Sequence, residues 1–222
     1  MNSLTLSETI AALEATGLPD QFTPEVSRLV IHLLRQIAQG QGVTMGQVRQ
    51  LAASLDVPDE VATKVVQQMC ERDKQGNVVG LLGLSQNEYA HKFHVNGQRL
   101  STWCALDALF LPILLDQTAE VTGRCPVTKD AIYLTISPKQ VERYDPVSVV
   151  VSVVIPDIRL DSLASVEHIW NAFCTYVHFF SSAQAGSTWF AGKPQTAQFV
   201  SVEDAFQIGQ ALFGKLMEHV RA

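Results

Sequence analysis

The chain predicts an α+β fold, with an N-terminal winged-helix-like helical unit packed on a mixed or antiparallel β-sheet core with surrounding helices. Three observations carry this. Three helical periodicities and two strand-like runs fill residues 24–95, strand-like runs dominate 118–180, and one amphipathic pattern closes the chain at 202–220. Helices segregated from strands point to α+β rather than to an alternating α/β sheet. The N-terminal unit is placed at 1–84 and the core at 85–222.

Residues 1–23 hold one weak helix, from about Ser7 to Thr16, before a break over Gly17–Pro24. A helix then runs from Pro24 to about Gln39 and stops at Gly40, with Val26, Leu29, Val30, Leu33 and Leu34 on one stripe. The next starts at Thr44, an N-cap residue, and runs to Leu55. A third starts near Pro58-Asp59-Glu60 and carries Val61, Val65, Val66 and Met69. Asp73–Gly76 is a turn signal between this helix and β-like runs at Asn77–Leu84 and Tyr89–Val95. Three helices followed by a hairpin give the winged-helix pattern.

Ser101 to Leu111 reads as a buried helix, capped by Ser101 or Thr102, that Pro112 should kink or end. Strands are expected at Thr118–Thr122, Ile132–Ile136, Val147–Ile155 and Phe173–Phe180. Ser181–Gln198 reads as a long surface loop whose Trp189 and Phe190 fold down as a lid. Val202–Val220 reads as an amphipathic helix capped by Ser201, with Asp204 three residues on.

Bulk properties bound the function. With 222 residues, 47% hydrophobic and 17% charged, the chain can build a real core. A formal net charge of -6 argues against tracking nucleic-acid phosphates. The start lacks a basic region followed by an apolar stretch, and the longest apolar run, Val147–Pro156, is too short to span a bilayer. A cytoplasmic protein with no membrane partner is expected. Cys70, Cys104, Cys125 and Cys174 then read as free thiols or metal ligands rather than disulfides.

Cys104 and Asp107 carry the most information. Three apart on a helix, they place a thiol and a carboxyl on one face of an otherwise apolar segment. Burying an unpaired carboxylate is costly, and one reason to do so is to keep the group protonated as an acid. The helix N-terminus favours a thiolate at Cys104. A small core residue is the plain alternative. At strand period Cys174, Tyr176, His178 and Phe180 share a face. His178 reads either as a ligand or base, or as a hydrogen-bonded core residue. Cys125 lies in a turn with no acid or base nearby, and Cys70 ends a helix. Trp103 reads equally as a site wall or as core. Two soft thiolates plus one proton donor suit protonolysis of a carbon–metal bond: the sulfurs push electron density onto the metal and the acid protonates the departing carbon.

These residues match a known family. Leu100-Ser101-Thr102-Trp103-Cys104-Ala105-Leu106-Asp107, and Phe173-Cys174 with Val177-His178-Phe179-Phe180, resemble the organomercurial (alkylmercury) lyases of the MerB type. So do Asp73–Asn77 with the following Gly80, Leu134–Pro138 and Val200–Phe206, in the family's order. The resemblance implies that Cys104 and Cys174 bind mercury and that Asp107 handles the proton, with an added place on the Hg(II) product open to Asp107. It implies a structural role for Cys125. Some members carry a second cysteine where this chain has Thr175, so that thiol's auxiliary role is absent here.

The implied reaction splits alkyl- and arylmercurials into the hydrocarbon and Hg(II), in mercury detoxification. Cys104 as thiolate takes the organomercurial from a small thiol, Cys174 adds as second ligand and passes its proton to Asp107, and Asp107 protonates carbon. No cofactor is required. Hg(II) is substrate and product, low-molecular-weight thiols remove it, and a mercuric reductase is the expected receiver. The competing readings are a non-catalytic Hg or Cu chaperone or sensor, which needs no Asp107, a DNA-binding regulator and a Cys-His hydrolase. The regulator's recognition helix would open on Asp59 and Glu60 with only Lys64 beyond, a poor match to phosphate. The hydrolase, using Cys174 and His178, lacks an orienting group or an oxyanion motif.

Overall fold

The computed structural model describes residues 4–17, 22–156 and 165–221. Half of the expected 17–24 break, residues 18–21, lies outside them. The N-terminal helices form where the caps predict. Helix α1 (Leu6–Glu14) opens on a Thr5–Glu8 capping box, α2 (Pro24–Ile37) on Thr23 with proline in its first turn, and α3 (Met45–Ser54) on a Thr44–Gln47 box. Helix α4 (Asp59–Met69) follows Pro58. The apolar stripe of α2 is wholly buried at Leu29, Val30, Leu33 and Leu34.

The chain then enters an eight-stranded antiparallel sheet. Its strands are β1 (Cys70–Arg72), β2 (Val78–Leu81), β3 (Leu84–Ser85), β4 (His91–Val95), β5 (Gln98–Thr102), β6 (Ala119–Arg124), β7 (Ala131–Ile136) and β8 (Val141–Asp145). The spatial order is β1-β2-β3-β5-β4-β6-β7-β8. The sheet crosses residue 84 without a gap, because Leu84 pairs with Thr102. The expected strand at 77–84 is two strands. Leu82 and Gly83, with φ of 51° and 87°, make a two-residue hairpin turn of the kind that needs φ > 0 at both positions. Strands β1, β5 and β8 were not foreseen: segments as polar as Gln98-Arg99-Leu100-Ser101-Thr102 carry little apolar alternation.

Helix α5 (Ala105–Leu115) lies at the centre, every residue but Ile113 buried. It begins later than expected, because Ser101 and Thr102 belong to β5. Nor does Pro112 end it: the helix continues to Leu115 and closes on Asp116 in the left-handed conformation. Each large apolar side chain buried there contributes about 1.5–3 kcal/mol, which offsets carrying one carboxyl inward.

A second sheet, ordered β10-β9-β11, uses β9 (Val150–Val154), β10 (Phe179–Phe180) and β11 (Ala197–Val200). Two helices stand where none was assigned. Helix α6 (Val166–Ala172) is capped by Ser165, and α7 (Ala183–Phe190) by Ser182, so the expected 181–198 loop is helical in its first half. The C-terminal helix is divided at Gly214 into α8 (Val202–Phe213), capped by Ser201, and α9 (Lys215–Arg221). Helix α8 packs on α5 through Phe213 and Phe110, whose ring centroids are 4.1 Å apart. None of the described helices is long and apolar enough to cross a membrane.

Candidate metal-binding and proton-transfer site

Cys104 is the N-cap of α5, where β5 ends. Its backbone N–H donates to Asp107 Oδ2 at 2.8 Å, while the backbone N–H of Asp107 donates to the Cys104 sulfur. This is a capping box with cysteine in the place usually taken by serine or threonine. The i, i+3 spacing therefore does more than align two side chains: it makes each residue the other's backbone partner. Thr102 Oγ1 donates to the Cys104 carbonyl at 2.9 Å and completes the turn from strand to helix.

Cys174 reaches the same place from elsewhere in the fold. It does not lie on a strand, as the sequence suggested. A 3-10 turn, Cys174–Tyr176, follows α6, and only Phe179 and Phe180 reach a sheet. The backbone groups that a strand would pair are taken by a side chain. Ser152 Oγ donates to the Tyr176 carbonyl at 2.7 Å and accepts from the His178 N–H at 2.9 Å. The Ala105 N–H donates to the Val177 carbonyl at 3.1 Å, which ties this turn to the start of α5.

Ligand atoms of Cys104, Asp107 and Cys174 all lie within 4.8 Å of one another, and all three residues are buried. It is the one group of three or more metal-ligating side chains among the described residues.

Burial sets the ionisation. The Asp107 carboxyl is pushed up to about 7 by burial, against the hydrogen bonds from Cys104 that pull it down. Burial also drives the Cys104 thiol well above its ordinary value, aided by its hydrogen bond to Cys174 and the Asp107 charge. For Cys174 the hydrogen bond from Cys104 pulls down, yet burial and Asp107 outweigh it and the net direction is up. A thiolate favoured by the helix end, the sequence expectation for Cys104, therefore does not hold in this closed site. The Asp107 amide does favour the anion, but desolvation is larger.

An apolar cavity of about 50 Å³ is lined by Asp107 and Cys174, while Cys104 is not among its lining residues. Leu106 and Phe110 of α5, Phe213 of α8, Ile169 and Phe173 beside Cys174, and Trp103 form much of its wall. The N-terminal part contributes Phe22, Met69, Leu82 and Gly83. Trp103 is thus both core and wall, and its Nε1 is buried without a partner. Trp189 and Phe190 are not among the lining residues. They pack with Phe180 and Phe199, so the expected lid is an aromatic cluster.

His178 takes the core role. Its Nε2 meets the Thr175 carbonyl at 3.0 Å, its ring packs on Trp189, and burial holds its pKa down. Cys70 is buried at the start of β1, and burial pushes its thiol up to about 12. Cys125 stays in its turn. Burial there is outweighed by hydrogen bonds from Thr128 and Ser181, and its thiol falls to about 7.

Gly83 is a site residue that the sequence reading missed. With φ of 87°, it leaves space in which a Cβ would stand 2.2 Å from the Asp107 Cγ. Its carbonyl also accepts the Trp103 N–H at 2.9 Å. Two glycines in one strand-like run, Gly80 and Gly83, were the available signal, since glycine inside a strand marks a close approach. Gly83→Ala is expected to cost at least about 1–3 kcal/mol from the backbone alone and to displace the carboxyl. A thermal melt and a carboxyl-dependent activity assay should fall together; an active, equally stable variant would show that the turn has room.

Comparisons with known proteins point to one family. The family model for MerB, alkylmercury lyase, matches residues 84–214. A protein from Streptomyces lividans named alkylmercury lyase is 40% identical over 83% of this chain and 81% of its own length. One of the same name from Pseudomonas putida is 36% identical over 98% and 97%. In three dimensions the chain is similar to a mercury-bound form of MerB2, with a TM-score of 0.73 and 24% identity over 95% of this chain and 99% of that one.

Proposed function

This chain belongs to the alkylmercury lyase family, and we propose that Cys104, Cys174 and Asp107 perform the carbon–mercury cleavage for which the family is named. It is an organomercurial lyase of mercury resistance, converting an alkyl- or arylmercurial to the hydrocarbon and Hg(II). The observation that carries the assignment of residues is the closeness of two thiols and one carboxyl of pKa about 7 beside an apolar cavity.

The proton inventory closes without an outside donor. The substrate arrives as R–Hg–SR′, with SR′ a small thiolate. One protein thiol replaces SR′, and its proton leaves with the carrier as R′SH. The second thiol adds to mercury and gives its proton to the Asp107 carboxylate. Asp107 hands that proton to carbon as the carbon–mercury bond breaks, releasing RH. Asp107 ends ionised as it began, and Hg(II) is left on two thiolates. A carboxyl with pKa near 7 suits both halves, because base and acid forms coexist at neutral pH. No organic cofactor is needed. External thiols, and a mercuric reductase where present, take the Hg(II); a cytoplasmic setting supplies such thiols.

Residues 1–84 act here as a cover over the 85–222 core, contributing Phe22, Met69, Leu82 and Gly83 to the cavity wall. A nucleic-acid role for the winged-helix-like order of α2–α4 is disfavoured by Asp59 and Glu60 at the start of α4. The test is incubation with phenylmercury and excess thiol. Benzene release with turnover is expected; retention of intact phenylmercury would favour a mercury chaperone.

A further inference from the structure

The three reactive groups are closed off: Cys104, Cys174 and Asp107 are 0%, 3% and 8% exposed. The adjoining cavity of about 50 Å³ is far below the roughly 150 Å³ in which an apolar protein cavity binds benzene. An arylmercurial therefore needs part of the wall to yield.

The wall is unevenly held. On the C-terminal side of Cys174, Ser152 and the Ala105 N–H fix the backbone through Tyr176, Val177 and His178. On its N-terminal side stands α6, a seven-residue helix with no buried residue, which nonetheless supplies Ile169 to the cavity and leads directly into Phe173 and Cys174. The Trp170 ring of α6 lies against Tyr89, with centroids 5.2 Å apart.

Tyr89 is itself anchored. Its hydroxyl donates to Glu71 Oε1 at 2.6 Å. Glu71 Oε2 accepts from Ser85 Oγ at 2.5 Å and Asn87 Nδ2 at 2.9 Å. The carboxylate sits over Gly80 of the paired strand, where a Cβ would be 2.7 Å from Oε2. Burial and the Glu71 bond raise the Tyr89 pKa, so the phenol stays a donor. None of this is needed to pair the strands.

We infer that Glu71, Tyr89 and Trp170 form a positioning bracket: it holds α6 against the sheet, fixes where Cys174 stands relative to Cys104, and yields when a bulky organomercurial enters. The inference rests on the assignment of Cys174 as a mercury ligand. Trp170 and Tyr89 are positioning residues, and neither is among the residues that line the cavity.

The test uses the whole protein, free of mercury. N-ethylmaleimide labelling is followed thiol by thiol by mass spectrometry, with Cys125, in its own turn between β6 and β7, as internal control. Loss of the aromatic pair in Trp170→Ala is expected to speed labelling of Cys174 by about tenfold. Tyr89→Phe, which removes one oxygen and serves if Trp170→Ala does not fold, is expected to speed it by about threefold. Cys125 should label at its usual rate, and Trp170→Phe should restore slow labelling at Cys174. Single-turnover cleavage of phenylmercury by Trp170→Ala should slow by about tenfold as the second thiol loses its place. Unchanged Cys174 labelling in both variants overturns the bracket, as does a parallel rise at Cys125. Normal cleavage alongside fast labelling overturns its positioning role. If the unmutated protein cleaves no organomercurial, the proposed function fails, while the labelling result still reports on α6.

Discussion

Cys104→Ser and Cys174→Ser are each expected to bring hydrocarbon release down to background while the protein stays folded. The chemical reason is ligand softness: a hydroxyl is a hard, poor ligand for mercury, and it does not give up its proton on contact with the metal. The structural reason that folding survives differs at the two sites. Cys104 is an N-cap whose sulfur accepts from the Asp107 amide, and serine is among the best residues at that position. Cys174 stands in a turn whose backbone is held by Ser152 rather than by its own side chain. Circular dichroism should therefore be near normal for both variants. Cys70→Ser should retain activity, because Cys70 is on β1 and outside the cluster. Near-normal hydrocarbon release by either site variant would rule out the two-thiolate scheme, and an inactive but folded Cys70 variant would show the site to be misassigned.

Asp107→Asn should keep Hg(II) on both sulfurs yet lose cleavage by about 10²–10⁴-fold, the usual effect of removing a positioned acid. The amide oxygen can still accept from the Cys104 N–H, so the capping box survives. Single-turnover hydrocarbon release and Hg(II) retention against a competing thiol read the two properties separately. Full cleavage by this variant would remove the carboxyl from the reaction. Stability provides a second check. The folded carboxyl titrates at about 7 and the unfolded one near 3.8. Below the lower value both states hold the proton. Between the two only the folded state does, so this group's contribution to stability is lost as pH rises and levels off above the upper value. Asp107→Asn abolishes that loss. Its stability relative to the unmutated protein should grow between about pH 4 and 7, by on the order of a few kcal/mol. Parallel stability curves would mean that the carboxyl titrates in the fold at its ordinary value near 3.8.

Local signals made some of this legible in the sequence and hid the rest. Helices α2, α3 and α4 were readable because stripe, cap and stop agree, as at Pro24, Thr44 and Gly40. Cys104 and Asp107 were readable as a pair because one helix end holds both. Their reciprocal backbone bonding was not, since cysteine is seldom counted as a cap. The segment around Cys174 is rich in aromatic and β-branched residues and reads as strand, but Ser152, far away in sequence, takes its backbone bonds. Helix α7 was obscured by Gly186, Ser187 and Thr188 within an Ala- and Gln-led run. The meeting of Cys104 with Cys174 is a long-range contact that no local pattern encodes; the family resemblance suggested it. The packing of Trp170 on Tyr89, which sets α6 beside the sheet although none of its residues is buried, is likewise a long-range contact with no local signal.

Cys104 and Cys174 are far apart in the chain and adjacent in space, which has a thermodynamic consequence for the product. On the proposed ligand set, a mercury ion shared by both sulfurs closes a covalent-like loop of about 70 residues, and cross-links of that span lower the entropy of the denatured chain by the equivalent of about 4 kcal/mol. The product-loaded protein should be the state most resistant to denaturant. Each turnover would then leave the enzyme stapled, and whatever withdraws the mercury would restore its freedom to unfold as well as its activity.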